Sequence, residues 1–400
     1  MSRTFDILSK VGDEAAFRQE IRDWLAVAMP RNWRNEWQGL ENETLKPKMV
    51  AWLEERRKVG LATPHWPKEW GGPGLPFGYQ IIVYEELTRA DAPELHMYMV
   101  SLFQTPATLF EHGSPTQKEK YLSGITHGTD IWCQGFSEPG AGSDLAALRT
   151  SARREGDHYV VNGQKIWSSG AMNAQFCLLL ARTEQNVKRK HEGISYFIMD
   201  MKAPGVEVRP IRSITGEQEF CEIFMDDVKI SAENLIGAEG DGWNIAQSTL
   251  SAERGLLIFG GTERLARSFE RDRVDGKDSW MRDSQMRREY AAFHAELQVI
   301  RLLIRKLLKE LEANPDKVSP TLPTFIKLTW GPFLQRYTEF LVRAEGIQAH
   351  KWKAPIPATA HTSRIKFTDF LKSYAWTIAG GSNEIMRNIV AERYLGLPRT

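Results

Sequence analysis

Apolar and polar positions along the chain fall into three regimes with different periods. Up to about residue 128 the spacing is helical: Phe17, Ile21, Trp24, Leu25 and the pair Val27 and Ala28 recur every three or four residues. "MVAWLEERRKVG" ends on a glycine, as helices often do. Between helices, "LATPHWPKEWGGPG", residues 61–74, holds enough proline and glycine to exclude regular structure, and its tryptophans predict a stiff, packed loop. From about 129 to 237 the pattern turns to short β-favouring runs. "HYVVNGQKIW" places Asn162-Gly163 between two of them, which predicts a hairpin turn at that dipeptide. "QFCLLLAR", "GISYFIMDM", "GVEVRPIRS" and "CEIFMDDVKI" follow, and together they predict an all-β unit, a small barrel or sandwich. The charged insert "TEQNVKRKHEG" reads as a solvated loop.

After "GDGW", residues 240–243, helical spacing returns in three long stretches. Leu302, Leu303, Ile304, Leu307 and Leu308 exceed one helix face and predict a helix buried in a bundle. The chain therefore reads as α+β: an N-terminal helical domain over 1–128, a middle β domain over 129–237 and a C-terminal helical bundle over 238–400.

Composition narrows the function. Four hundred residues exceed one compact core, and 42% hydrophobic with 26% charged residues is ordinary for a soluble globular protein. A formal net charge of +1 without like-charge runs predicts neither a nucleic-acid nor a membrane partner. Cys133, Cys177 and Cys221 are odd in number and far apart, which speaks against a disulfide framework and for a reducing compartment. The first twenty residues show no apolar signal core and no run reaches membrane-spanning length, so a cytoplasmic protein is expected.

The common cofactor and metal motifs are missing. Gly140-Ala141-Gly142 is followed by Leu145 where a dinucleotide fingerprint needs its third glycine, and no Walker A, H-E-x-x-H or paired-cysteine spacing occurs. His96 and His112 read as packed or surface residues, so no metal is expected. Three stretches remain. "WCQGFSEPGAGSDLAALRT", residues 132–150, offers backbone N–H groups and hydroxyls suited to the rim of a planar polar ligand, or is an interdomain turn. "NGQKIWSSG" ends a strand on Trp167 beside two hydroxyls. "TIAGGSNEIMRN", residues 377–388, bares the backbone at Gly380-Gly381 before a helix. Ser382 or Asn383 as N-cap explains it blandly; a flat or anionic ligand against the helix start explains it more sharply.

In order, "SEPGAGSD", "NGQKIW", "GDGW", "ERG" and "GGSNEIMRNIVAERYLGLPR" resemble the acyl-CoA dehydrogenases, from about residue 15 to the last. The resemblance implies that family's fold, a helical domain, a β-barrel or sandwich and a four-helix bundle, and FAD at the junction of the last two. It implies an acyl-CoA substrate whose α-proton leaves to a carboxylate while the β-hydrogen leaves as hydride to the flavin. By the match, Gln134, Phe136 and Ser137 run beside the flavin ring, Gly142 and Ser143 continue toward cofactor and acyl-CoA, and Trp167 and Ser169 flank the ring. Ser382 and Glu384 match cofactor-side residues of the last helix.

Many relatives carry the base where this chain has Gly380, which has no side chain. In isovaleryl- and long-chain-type relatives the base lies on the first bundle helix, and "LSAERGLL" puts Glu253 there, followed by Arg254. One carboxylate at one of two walls is what proton abstraction needs. The Gly380 amide matches the N–H that holds the thioester carbonyl, Arg254 is a candidate for holding Glu253 or the thioester end, and Ala379 with Gly380 implies a pocket wide enough for a branched or bulky acyl group. Two motifs that hold the ADP half of FAD in relatives are missing; Arg282 or Arg287 is a candidate substitute. The expected electron acceptor is an electron-transfer flavoprotein, and the expected assembly a homodimer, homotetramer or α2β2 pair with a related chain. An oxygen-using oxidase of the same fold and a non-catalytic half-site subunit are the alternatives.

Overall fold

The structure, a computed structural model, describes residues 4–275, 279–313, 321–351, 353–356, 363 and 365–398. The first part holds six α-helices: α1 (Glu14–Ala28), α2 (Trp33–Glu36), α3 (Asn42–Lys58), α4 (Phe77–Arg89), α5 (Thr105–His112) and α6 (Pro115–Thr126). Asp13 caps α1 by accepting from the Ala16 amide, and α1 buries Phe17, Ile21, Trp24 and Leu25. Val27, expected on the same stripe, lies off it and is exposed. Trp24 stacks on Trp52 of α3 with centroids 5.5 Å apart, and the Trp52 indole donates to the Pro93 carbonyl at 3.0 Å. Trp66 of the 61–74 loop is fully buried, as expected of a packed aromatic loop. A π-helical turn, Val100–Gln104, leads into α5; such turns recur at functional sites because they re-aim side chains.

The middle part is one eight-stranded mixed sheet. Its strands are β1 (Trp132–Gly135), β2 (Ser151–Glu155), β3 (His158–Ser169), β4 (Phe176–Arg182), β5 (Ile194–Asp200), β6 (Val206–Ile211), β7 (Phe220–Ser231) and β8 (Leu235–Ile236). They lie in the order β6-β7-β3-β2-β4-β5-β8, with β1 parallel to β4. The hairpin expected at Asn162-Gly163 is not there. β3 runs through both residues, and the tight turn is at Gly156, φ +62°, between β2 and β3. The Asn162 side chain instead grips β7: its Nδ2 donates to Asp227 Oδ1 and its Oδ1 accepts from the Asp227 amide, each at 2.9 Å. Gly163 forms a bulge where a Cβ would come within 2.5 Å of the Thr150 hydroxyl. Glycine here serves close approach, not a turn.

Helix returns in α7 (Gly242–Asp275), α8 (Ser284–Ala313), α9 (Leu322–Glu345), α10 (Lys366–Ser373) and α11 (Asn383–Ile389). In α8, Ile304, Leu307 and Leu308 are buried but Leu302 is exposed, so the helix flanks the bundle and is not enclosed by it. Consecutive residues are about 100° apart around a helix, so Leu302 and Ile304 cannot share a face. Arg264 of α7 binds Glu94 at 2.7 Å and the Ala92 carbonyl at 2.8 Å, joining bundle to N-terminal part. Lys372 of α10 binds Glu217, in the β6–β7 loop, at 2.7 Å and joins bundle to sheet. All three parts meet at a buried hydroxyl cluster: Thr249 of α7 lies 2.7 Å from Thr108 of α5 and 3.0 Å from the hydroxyl of Tyr196 on β5. Among the described residues no helix is long and apolar enough to cross a membrane.

Candidate active site

Two of the singled-out stretches are locked together by the sheet. β1 delivers Gln134 and then Phe136 and Ser137 beside the end of β3. The Ile166 amide donates to the Ser137 carbonyl at 2.9 Å. Lys165, with no exposed surface, donates to the Phe136 carbonyl at 3.1 Å and to Glu138 at 2.8 Å. Glu138 in turn accepts from the Arg149 and Thr150 amides at 2.6 and 2.8 Å, and Glu138 and Ala141 exchange backbone bonds at 3.0 Å. Burial pushes Lys165 down to about 8 against the pull of Glu138. Burial also acts to raise Glu138, but Lys165 and the amides outweigh it and hold the carboxyl below its usual range. The result is a closed clamp: an ion pair inside, a loop outside, and at the loop's apex the exposed Gly142 and Ser143 with open space around Gly142.

Two residues before the end of β3 stands Trp167, whose φ of +64° is the left-handed region that bulky residues avoid. The indole is 58% exposed and meets Phe220 edge-on at 6.0 Å. Ser169 is half-buried; Ser168, the other of the two hydroxyls beside Trp167 and not among the residues matched to the cofactor, is buried and its hydroxyl has no partner among the described residues. The Gln134 side-chain nitrogen is likewise buried and without a partner among the described residues. Phe136 packs edge-on against Tyr196 at 5.6 Å, so the loop leans on the same tyrosine that bonds Thr249 of α7.

The third stretch sits on the bundle. Gly380 and Gly381 take φ +65° and +91°, a conformation only glycine holds without strain. Ser382 is the N-cap of α11 and accepts from the Ile385 amide; the bland reading of this turn is therefore correct as far as it goes. No acceptor takes the Gly380 amide among the described residues. Ala379 is exposed, and Glu384 is exposed with its carboxylate 3.1 Å from Arg387. The turn is linked to the sheet through α10 and the Lys372–Glu217 pair; no hydrogen bond among the described residues runs directly from it to the 134–138 loop.

Glu253 and Arg254 belong to α7, four and five residues past Thr249, but their side chains lie outside the described residues. Arg287 donates to the Met281 and Arg282 carbonyls at 2.7 and 3.0 Å, and Arg282 is exposed. Neither is brought to the other site residues by these bonds. Among the described residues no group of His, Cys, Asp and Glu could hold a metal ion.

A helical part, a mixed sheet and a helical bundle in this order are the architecture of the acyl-CoA dehydrogenases, oxidoreductases that act on CH–CH donors. Family models agree along the chain: the acyl-CoA dehydrogenase N-terminal domain matches residues 12–129, the middle domain 133–228 and the C-terminal domain 240–395. The chain belongs to this family. It is 36% identical over 396 residues to the acyl-CoA dehydrogenase IpdE1 of Mycobacterium tuberculosis, covering 97% of this chain and 98% of that one. It superimposes on a structure described as the Tcur3481-Tcur3483 steroid ACAD with a TM-score of 0.84 and 28% identity, over 98% of this chain and 100% of that one. The ChsE4-ChsE5 complex from Mycobacterium tuberculosis gives 0.80 and 27%, over 100% and 99%.

Members of the family are flavoproteins that bind FAD. The residues present fit such a group: an exposed indole held by a strained backbone, and two buried polar atoms, on Gln134 and Ser168, with no partner among the described residues.

Proposed function

We propose that the protein carries out the FAD-dependent α,β-dehydrogenation of an acyl-CoA thioester to the trans-2-enoyl-CoA. The observation that carries this reading is the Gly380 amide, without an acceptor among the described residues and presented by a side-chain-free turn. That N–H donates to the thioester carbonyl and stabilises the negative charge that gathers there as the α-proton leaves; one such donor contributes ~3 kcal/mol in comparable sites. Glu253 is the base that takes the α-proton, since position 380 has no carboxylate to offer. FAD, when bound, supplies the acceptor for the β-hydrogen as hydride. Gln134, Phe136, Ser137, Gly142, Ser143, Trp167, Ser169, Ser382 and Glu384 hold it, Ser168 adds a hydroxyl, and the Trp167 indole keeps water out. Ser143, Arg254 and Ala379 meet the acyl-CoA.

Exposed Ala379 beside two glycines leaves room for a bulky, branched or polycyclic acyl group, a reading supported by the structural relative described as a steroid ACAD. Electrons pass on to an electron-transfer flavoprotein. Two assemblies follow: a homo-oligomer, or a pair with a related chain, the second supported by the ChsE4-ChsE5 complex. The test is an anaerobic titration of the purified chain with a panel of acyl-CoAs, beside Glu253→Gln. Flavin bleaching by one acyl-CoA should slow roughly 10³-fold in the variant. Equal bleaching in both proteins would remove Glu253 from the reaction, and a chain that arrives without flavin would favour the half-site subunit.

A further inference from the structure

The glycine turn is not held by its own helix alone. One stripe of α9, at positions 327, 331 and 335, lies along the whole segment from Trp376 to Gly381, and these positions are four residues apart on one helix face. Lys327 donates from its ammonium to the Gly381 carbonyl. A Cβ at Gly331 would lie 3.0 Å from the Trp376 carbonyl and 3.2 Å from the Thr377 methyl, so the segment presses against bare helix there. Gln335 donates to the Thr377 hydroxyl at 3.4 Å. Trp330 of the same helix meets Trp376 edge-on at 6.3 Å.

Lys327 is out of place for a surface cation. It is 3% exposed, amid Ile326, Trp330, Phe333 and Leu334, the apolar face of α9. Burying an ammonium costs several kcal/mol unless it is compensated, and a chain seeking only helix packing would put an apolar residue here. The compensation includes the one carbonyl that follows the two left-handed glycines. Glycine at φ +65° and +91° has no side chain to fix its dihedrals, so something outside the turn must. The amide of Gly380 and the carbonyl of Gly381 are separated by two residues' dihedrals. Anchoring the second restricts the first.

We propose that Lys327 is a positioning residue for the dehydrogenation: its buried ammonium fixes the Gly381 carbonyl and thereby aims the Gly380 amide. The proposal rests on the reading of that amide as the donor to the thioester, and its test separates the two. Lys327→Met, of similar length and without a donor, is compared with Lys327→Arg, which restores one, and with Gly331→Ala, which pushes on the same segment and leaves Lys327 in place.

Hydrogen exchange of the peptide spanning 376–383, followed by mass spectrometry without acyl-CoA, reads the anchoring directly. Exchange should quicken at least tenfold in Lys327→Met, less in Gly331→Ala, and return toward wild type in Lys327→Arg. Flavin reduction under saturating acyl-CoA should fall 10- to 100-fold in Lys327→Met with the half-saturating concentration within threefold, the signature of a group that acts on the reacting carbonyl and not on CoA binding. Unchanged exchange in Lys327→Met overturns the proposal. Quickened exchange with flavin reduction at the wild-type rate shows that the turn is anchored by Lys327 but that Gly380 is not the donor, and so overturns the reading beneath it. If Lys327→Met fails to fold, Gly331→Ala decides by the same two measurements: a segment that keeps wild-type exchange under that pressure is not set by α9.

Discussion

The two halves of the site are held by different means. The 134–138 loop is clamped by a buried ion pair and by amides that point at one carboxylate, all within the sheet. The Gly380-Gly381 turn has no charged side chain of its own and is held from outside by a helix. The first half is rigid because charges inside low-dielectric surroundings tolerate little displacement. The second is a bare backbone whose aim is set by what leans on it. Under the proposed function, a rigid wall faces the constant group and a donor aimed by its surroundings faces acyl chains of differing bulk.

The comparison is broken most forcefully at the clamp. Lys165→Met leaves the Glu138 carboxylate buried without its cation, an effect of about 3–5 kcal/mol in comparable pairs. Adding Glu138→Gln should recover part of that loss, so the double variant is more stable than the sum of the singles. Urea denaturation of the four proteins gives the coupling. Strictly additive singles would mean that the clamp is not a unit.

The glycine turn should respond more mildly. Gly381→Ala forces a side chain into φ +91° and brings a Cβ within 2.5 Å of the Met386 methyl. A loss of about 1–3 kcal/mol is expected by thermal unfolding, with flavin reduction falling further than stability does.

Two buried imidazoles make the fold sensitive to pH. Burial, aided at His96 by the Lys372 ammonium, pushes His96 down to about 4; burial alone pushes His65 down to about 4. Their folded values lie below that of a free imidazole, so the stability they contribute is full above pH 6.5 and drains as pH falls toward 4. The melting temperature should fall across that window, and less steeply in His96→Phe. An unaltered slope in that variant would free His96 of the effect.

The smallest change is expected at Ser168. Its hydroxyl is buried without a partner among the described residues, so Ser168→Ala should shift stability of the flavin-free chain by under about 1 kcal/mol, and in the favourable direction. Weaker flavin retention in the same variant would show that the hydroxyl serves the cofactor.

How far the sequence disclosed this follows from its periodicities. Helix, sheet, helix was legible because the apolar period changes twice, and the family because several weak motifs occur in one order. Asn162-Gly163 misled because the usual hairpin dipeptide also fits a bulge, and which one forms depends on Thr150 and Asp227, distant in the chain. Ser137, Trp167 and Gly380 stood out locally. Glu138, Lys165 and Lys327 did not, since a charge shows its role only when its partner is known. Lys327 did carry a signal: a cation at a position shared with Ile326, Trp330 and Leu334 interrupts the apolar stripe of its helix.

The meeting of Thr108, Thr249 and Tyr196 has a consequence for how the molecule comes apart. Each hydroxyl comes from a different part of the architecture, and drawing the parts asunder breaks two buried hydrogen bonds that run between them, although Thr108 and Thr249 keep the Gln104 and Ile245 carbonyls of their own segments. Melting of one part therefore takes from its neighbours the two bonds shared at this point, and a lesion at Tyr196 in the sheet should register at α7 of the bundle as a small loss of stability.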